Sequence, residues 1–145
     1  MVELLVLDFA GVCTLGPSEL EAPVSLAETV RPRCTEVVDA AQAAGITVAI
    51  LSNELSHDWA ESVPLLGQVD HVIACTDNGI LKPDRRAFER ALYVAGTAAE
   101  ATLLVDDHED NVRVAASLGI QVVHFEVADP DRSWKEVAQH LELEP

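Results

Sequence analysis

A chain of 145 residues with a formal charge of −16 and nearly half its residues apolar can bury one core without disulfides or structural metal, because a fold of this size removes roughly 70% of its unfolded surface from water. Only nine residues are basic. That excludes a nucleic-acid binder recognised by a basic patch, and leaves an anionic substrate to be drawn in by local groups or a bound cation. The three cysteines, Cys13, Cys34 and Cys75, are odd in number and form no C-x-x-C pair, which argues against a disulfide framework or zinc ribbon. No apolar run approaches the ~20 residues of a membrane span, and the first residues have neither the basic region nor the cleavage site of a secretory signal. The expected setting is the cytoplasm, with no membrane partner. Seven arginines against two lysines, with abundant alanine and valine, point to a GC-rich bacterial source.

In chain order, residues 4–7 form a short apolar run ending at Asp8, the pattern of a strand buried on both faces. Gly11 and Gly16-Pro17 break it. Residues 17–30 are mixed, with Leu20, Val24, Leu26 and Ala27 suggesting a short helix. Pro32 suits a first helical turn; Val37, Val38, Ala41 and Ala44 follow at helical spacing, and Gly45 closes the helix. Residues 47–51 read as the second strand. A helix of uncertain limits is expected over residues 57–66, bent or started near Pro64. Residues 72–75 are the third strand, followed by the turn Thr76-Asp77-Asn78-Gly79. Pro83-Asp84 starts a helix that carries Phe88, Ala91, Leu92 and Ala95 and ends at Gly96. Residues 101–105 form the fourth strand, 110–118 a helix closed by Gly119, and 120–125 the fifth strand. Ser133 and Glu136 read as a capping box for a last helix with Trp134, Val137, Ala138 and Leu141 on one face.

Strand and helix alternate five times, and crossovers of this length make the strands parallel. The expected fold is α/β, a three-layer α/β/α Rossmann-like sandwich around a five-stranded parallel sheet. Residues 1–145 form one domain without a substantial cap, and residues 15–31 are a vestigial cap or linker.

Ligand sites in such sheets lie at the carboxyl ends of the strands. Here those ends hold Asp8, Ser52-Asn53 and Asp106-Asp107, and Lys82 follows the third strand after its turn. Any one of these is more often a cap or turn residue than a catalyst. Together they suit phosphoryl transfer. A carboxylate can attack phosphorus, a Mg²⁺ ion held by one or two carboxylates neutralises the approaching charges, and a lysine, a hydroxyl and backbone N–H groups hold the remaining oxygens.

The motifs Asp8-Phe9-Ala10-Gly11-Val12, Ile50-Leu51-Ser52-Asn53, Gly79-Ile80-Leu81-Lys82-Pro83-Asp84 and Leu104-Val105-Asp106-Asp107-His108-Glu109-Asp110-Asn111 resemble, in order and spacing, those of the haloacid dehalogenase (HAD) superfamily. The likeness is to a subfamily IA-like, cap-deficient member. Arg31-Pro32, Ala43-Ala44-Gly45 and Ser117-Leu118-Gly119 resemble its framework, so the likeness covers nearly the whole chain. It implies Asp8 as nucleophile and Mg²⁺ ligand, the Ala10 backbone carbonyl and Asp107 as further ligands, and Asp106 and Asn111 supporting them. Ser52 and Lys82 would grip the transferred group, with Lys82 also holding Asp8, and substrate contacts would come from Phe9, Gly11, Ser52, Asn53 and Lys82. A response-regulator receiver domain uses similar residues, but there the acidic pair ends the first strand and the lysine comes last, the reverse of the order here.

Two departures qualify the resemblance. Ala10 stands where phosphatases of the family carry the aspartate that protonates the leaving oxygen, help typically worth about 10²–10⁴-fold. His57, Asp77 and His108 are the candidates to replace it. Alanine here is also similar to the phosphonoacetaldehyde hydrolase branch, but that branch needs a cap lysine and only Lys82 and Lys135 exist. The Asp106-Asp107 pair implies a metal site and so disfavours dehalogenase chemistry. The second departure is the missing cap, which leaves the site open to a phosphorylated small molecule or macromolecule, or covered by a second copy; a homodimer is expected, with Leu20, Val24 and Leu26 at the contact. Two function classes follow: a Mg²⁺-dependent, phosphatase-type hydrolase, slow for want of the acid, or a weak or inactive binding protein on the same scaffold.

Overall fold

A computed structural model describes residues 1–16, 19–20, 25–55 and 62–143. Five strands, β1 (Leu4–Leu7), β2 (Thr47–Ser52), β3 (His71–Ala74), β4 (Thr102–Asp106) and β5 (Gln121–His124), alternate with α1 (Pro32–Ala43), α2 (Pro64–Gln68), α3 (Arg85–Ala95), α4 (Glu109–Ser117) and α5 (Pro130–His140). All four strand pairings are parallel, and the strand order is β3-β2-β1-β4-β5. The sheet is the five-stranded α/β/α sandwich expected from the alternation.

The strands explain the two-sided core. Successive side chains point to opposite faces. Leu5, Leu7, Val48, Ile50, Leu103 and Val105 pack with Val37 and Val38 of α1 and with Trp134 and Val137 of α5. Leu4, Val6, Ala49, Leu51 and Leu104 pack with Ala87, Phe88 and Ala91 of α3 and with Ala115 of α4. Both faces are therefore apolar, and the polar side chains are left to the strand ends. The order reverses between β1 and β4, which opens the crevice where such sheets bind ligands.

The helix ends follow local chemistry. Asp84 caps α3 by accepting from the Arg86 N–H, and Gly96, at φ 64°, ends it in a left-handed turn that favours glycine. The capping box expected at Ser133 and Glu136 is corrected. Helix α5 begins at Pro130 with Asp129 as its cap, and the Ser133 hydroxyl, already inside the helix, accepts from the Glu126 N–H at 2.8 Å. Proline at the first helical position is the stronger start signal, because its missing N–H costs nothing there. The helix expected over residues 57–66 is shorter where it is described: α2 starts at Pro64, and residues 56–61, His57 among them, lie outside the described residues.

Between β1 and α1 the described residues hold one 3₁₀ turn, Leu26–Thr29, and no helical cap. Leu20 is exposed and Leu26 packs against the core; Val24 lies outside the described residues. All three cysteines are buried and free. Among the described residues no helix is long and apolar enough to cross a membrane.

Candidate active site

The parallel ladder places the two acidic strand ends side by side. The Asp8 N–H donates to the Val105 carbonyl at 3.0 Å, carrying the β1–β4 pairing one residue past β1 and setting Asp8 next to Asp106. Lys82 arrives from the loop before α3. Its Nζ donates to Asp8 Oδ1 at 3.0 Å and to Asp106 Oδ2 at 2.9 Å. The Lys82 and Asp106 side chains are 1% and 0% exposed, whereas Asp8 keeps 13%, so Asp8 is the member of this ion triad that an incoming molecule can reach.

The neighbours fix each group. Asp106 also accepts from Asn111 Nδ2 at 3.1 Å and, through Oδ1, from the His108 N–H at 2.9 Å, so both its oxygens are occupied. Asn53 spends both ends of its amide on the main chain of Lys82: Oδ1 accepts from the Lys82 N–H at 2.8 Å, and Nδ2 donates to the Lys82 carbonyl at 2.9 Å. This clasp carries the lysine across to β1. Ser52 Oγ accepts from the N–H groups of Glu54 and Leu55, which leaves its one proton to donate. The Phe9 ring is buried in the core, so only its backbone belongs to the site; its N–H donates to Asp8 Oδ1 at 2.9 Å. Ala10 is half-buried on the loop that follows.

The electrostatics point to a cation. Burial pushes the Asp8 carboxyl well above the ordinary carboxylate range; Lys82 opposes this, while Asp106 and Asp107 reinforce it. For Lys82, burial works against the charge, but Asp8 and Asp106 outweigh it and raise its pKa. Lys82 is thus shared by Asp8 and Asp106, and Asp107 adds a third carboxyl group that acts on Asp8.

Two further observations show where the Asp107 side could hold a cation. Asp107 Oδ1 is buried without a hydrogen-bond partner among the described residues, and a buried acceptor in that state calls for a partner. Gly11, at φ +90°, leaves the room: a Cβ there would sit 2.6 Å from Asp107 Oδ2. Asp106, Asp107 and His108 also bring ligand atoms within 4.8 Å of one another, but the oxygens of Asp106 are already taken. Asp8 with Asp107, which helps to raise the Asp8 pKa, is the set that remains open. A hard, oxygen-bound ion such as Mg²⁺ fits it.

Of the candidates for the missing acid, His108 and Asp77 are exposed, and His57 lies outside the described residues. His108 is 68% exposed and stands 3.7 Å from Asp107 Oδ1, and Asp77 is exposed at the end of a 3₁₀ turn. Sequence reading missed two supports. The buried Arg31 donates from Nη2 to the Gly11 carbonyl at 2.9 Å, and His124 Nε2 lies 3.0 Å from the Asp107 carbonyl. The first left a signal, an arginine directly before a helix-starting proline in an apolar setting; the second, a histidine at the end of β5, resembles any strand terminus.

At the strand ends of this two-sided α/β sandwich, a reachable aspartate is held by lysine beside a second carboxylate with an unpartnered oxygen. The sequence profile of haloacid dehalogenase-like hydrolases matches residues 3–119, and the chain belongs to that family. It is similar to mouse acyl-CoA dehydrogenase family member 10, at 33% identity over 108 residues, which is 73% of this chain and 10% of the mouse protein; the chain thus spans about a tenth of the length of that relative. Among solved structures it resembles an uncharacterized protein from Corynebacterium glutamicum, with a TM-score of 0.77 and 28% identity over 100% of this chain and 98% of that one. It shares the fold of a HAD family enzyme from Bacteroides thetaiotaomicron in complex with magnesium and inorganic phosphate, with a TM-score of 0.71 and 16% identity over 88% and 96% of the two chains.

Proposed function

We propose that this chain is a Mg²⁺-dependent phosphatase acting through an aspartyl phosphate at Asp8, slow because Ala10 offers no acid. The observation that carries this reading is the Asp8–Lys82–Asp106 triad at 3.0 and 2.9 Å beside the unpartnered oxygen of Asp107. Asp8, Asp107 and the Ala10 carbonyl would hold the ion, with Asp106 and Asn111 behind them. When bound, Mg²⁺ supplies the positive charge that lets one anion approach another.

The protein's own groups do the rest. Lys82 holds Asp8 in line and adds a fixed positive charge to the phosphoryl oxygens. The Ser52 hydroxyl and the backbone of the loop after β1, Gly11 included, hold the transferred group. Asp8 attacks phosphorus and expels the leaving oxygen, and water then cleaves the acyl phosphate. Ala10 cannot deliver a proton, so aryl and acyl phosphates, which leave unaided, are the preferred substrates. Without a cap the site takes a phosphorylated small molecule or macromolecule in the bacterial cytoplasm, and a second copy covers it; light scattering at high micromolar concentration tests the homodimer, and a monomer counts against it.

The test is a phosphatase assay over aryl, acyl and alkyl phosphates, with and without Mg²⁺, on wild type and Ala10→Asp. Mg²⁺-dependent turnover of the first two supports the proposal. A wild type inert on every substrate, with no gain in Ala10→Asp, assigns the chain instead to a binding role on the same scaffold, which the alanine itself favours.

A further inference from the structure

Asp106 and Asp107 are neighbours in the chain but are held in different ways. The Asp106 carboxylate is fixed by Lys82, Asn111 and the His108 N–H. Asp107 Oδ1 has no hydrogen-bond partner among the described residues, and His108 Nδ1, 3.7 Å away, is too far to donate to it. Its other oxygen, Oδ2, lies against Gly11. The aim of this carboxylate therefore rests on its main chain.

That main chain is tied on both sides to the end of β5. The parallel ladder pairs Asp106 with His124, and the Phe125 N–H donates to the Asp106 carbonyl at 2.9 Å, which holds the peptide before Asp107. Beyond it the chain turns into α4 and the ladder stops. The helix does not reach back to Asp107 either, because its first bond runs from the Val112 N–H to the His108 carbonyl. The His124 ring fills this gap. Its Nε2 lies 3.0 Å from the Asp107 carbonyl; a carbonyl only accepts, so Nε2 carries the proton. The N–H of the same peptide, that of His108, donates to Asp106 Oδ1 at 2.9 Å. A planar peptide held at both its carbonyl and its N–H has little freedom to turn. With the peptides on both sides of Asp107 held, its own backbone angles are restrained.

We propose that His124 is a positioning residue, whose Nε2–H fixes the peptide that follows Asp107 and so keeps the Asp107 carboxylate aimed for a divalent cation. This role rests on the reading of Asp8 and Asp107 as ligands of Mg²⁺. The His124 side chain is exposed, so replacing it opens no cavity in the core.

The test compares His124→Ala, His124→Asn and His124→Gln with wild type, each as the full chain. A glutamine amide nitrogen reaches close to the place of Nε2 and can donate there, whereas that of asparagine stops near the place of Nδ1 and falls short. Mg²⁺ titrated by calorimetry should bind about three- to tenfold more weakly to the Ala and Asn variants, the size expected of one net hydrogen bond. The Gln variant should bind it as wild type does. The loss stays below that of a metal ligand whose own side chain loses its partner. A second arm needs no metal: amide hydrogen exchange at His108, measured in chelator, should quicken about three- to tenfold in the Ala and Asn variants but not in the Gln variant. Equal Mg²⁺ affinity in all four proteins overturns the positioning role and leaves the Mg²⁺ reading standing. Equal weakening in the Asn and Gln variants assigns the effect to the lost ring and overturns the role of the donor. A wild type that binds no Mg²⁺, with His108 exchange still quickened in the Ala and Asn variants, overturns the Mg²⁺ reading and upholds the fixing of the peptide. Unchanged His108 exchange in those two variants overturns that fixing.

Discussion

The two sides of the active site are built to different standards. On the attacking side every charged group has a partner: Lys82 bridges Asp8 and Asp106, Asn111 and the His108 N–H hold Asp106, and Asn53 clasps the backbone that carries Lys82. On the side where the proposed reaction would release its leaving group stands Ala10, a methyl group with nothing to donate. Binding charge and moving a proton are separable tasks. The first is wired through side chains from three strand ends, the loop after β3 and helix α4, and the second is hung on one side chain. Losing that one side chain leaves the rest of the network undisturbed.

The sharpest way to break the comparison is to disable the attacking side. Asp8→Asn keeps the shape and removes the nucleophile, and turnover of aryl and acyl phosphates should fall by roughly 10⁴-fold or more, the scale of losing a nucleophile elsewhere. Steady-state assays decide it, and a variant within tenfold of wild type would show that Asp8 does not attack.

The next largest effect comes from rebuilding the other side. Ala10→Asp should raise alkyl phosphate turnover by about 10–10³-fold, below the full general-acid benefit because the site was not shaped for it, with little change on acyl phosphates. Brisk wild-type hydrolysis of alkyl phosphates would instead mean that another residue already supplies the proton, with His108 the first suspect. Metal affinity comes third. Asn111→Ala removes a support of Asp106 rather than a ligand and should weaken Mg²⁺ binding by about 10–100-fold, while Asp107→Ala should abolish it. Calorimetry measures both, and unchanged binding in Asp107→Ala would move the ion elsewhere.

Sequence reading, through the family resemblance, reached the attacking side and its Lys82–Asp8 and Asn111–Asp106 contacts, but not the connections behind them. The strands are continuous apolar runs, so the first polar residue after each run marks a sheet end, and Asp8, Ser52 and Asp106 are visible for that reason. Ala10 is visible as a departure because its neighbours fix the frame. Contacts that close over long stretches of chain leave no local period. The Asn53–Lys82 clasp joins residues 29 apart, and the Arg31–Gly11 bond spans 20. The Ser133 misreading has a related cause. A Ser-x-x-Glu spacing satisfies the capping pattern, but the hydroxyl was needed by Glu126, and Asp129-Pro130 supplied the start.

The smallest expected effect is a matter of pH, and it probes Asp8 and its charged neighbours directly. In the metal-free protein the Asp8 carboxyl titrates well above its ordinary range, raised first by burial and then by Asp106 and Asp107 against the pull of Lys82. Between the unfolded pKa and this raised value the folded state binds more protons than the unfolded chain, so stability falls as pH rises through that window. The contribution is fully present below the unfolded value and lost above the folded one. Asp8→Asn has no proton to lose and should not show it. The difference in Tm between wild type and Asp8→Asn, measured in chelator from mildly acidic to mildly alkaline pH, should therefore shift against wild type by a few degrees as pH rises, the scale of about 1 kcal/mol in a chain this size. Added Mg²⁺ should restore wild type more at the alkaline end than at the acidic end, because binding must displace that proton. A difference that stays flat, or moves in favour of wild type as pH rises, would mean that Lys82 alone balances the cluster, and the case for a divalent ion would then rest only on the unpartnered oxygen of Asp107.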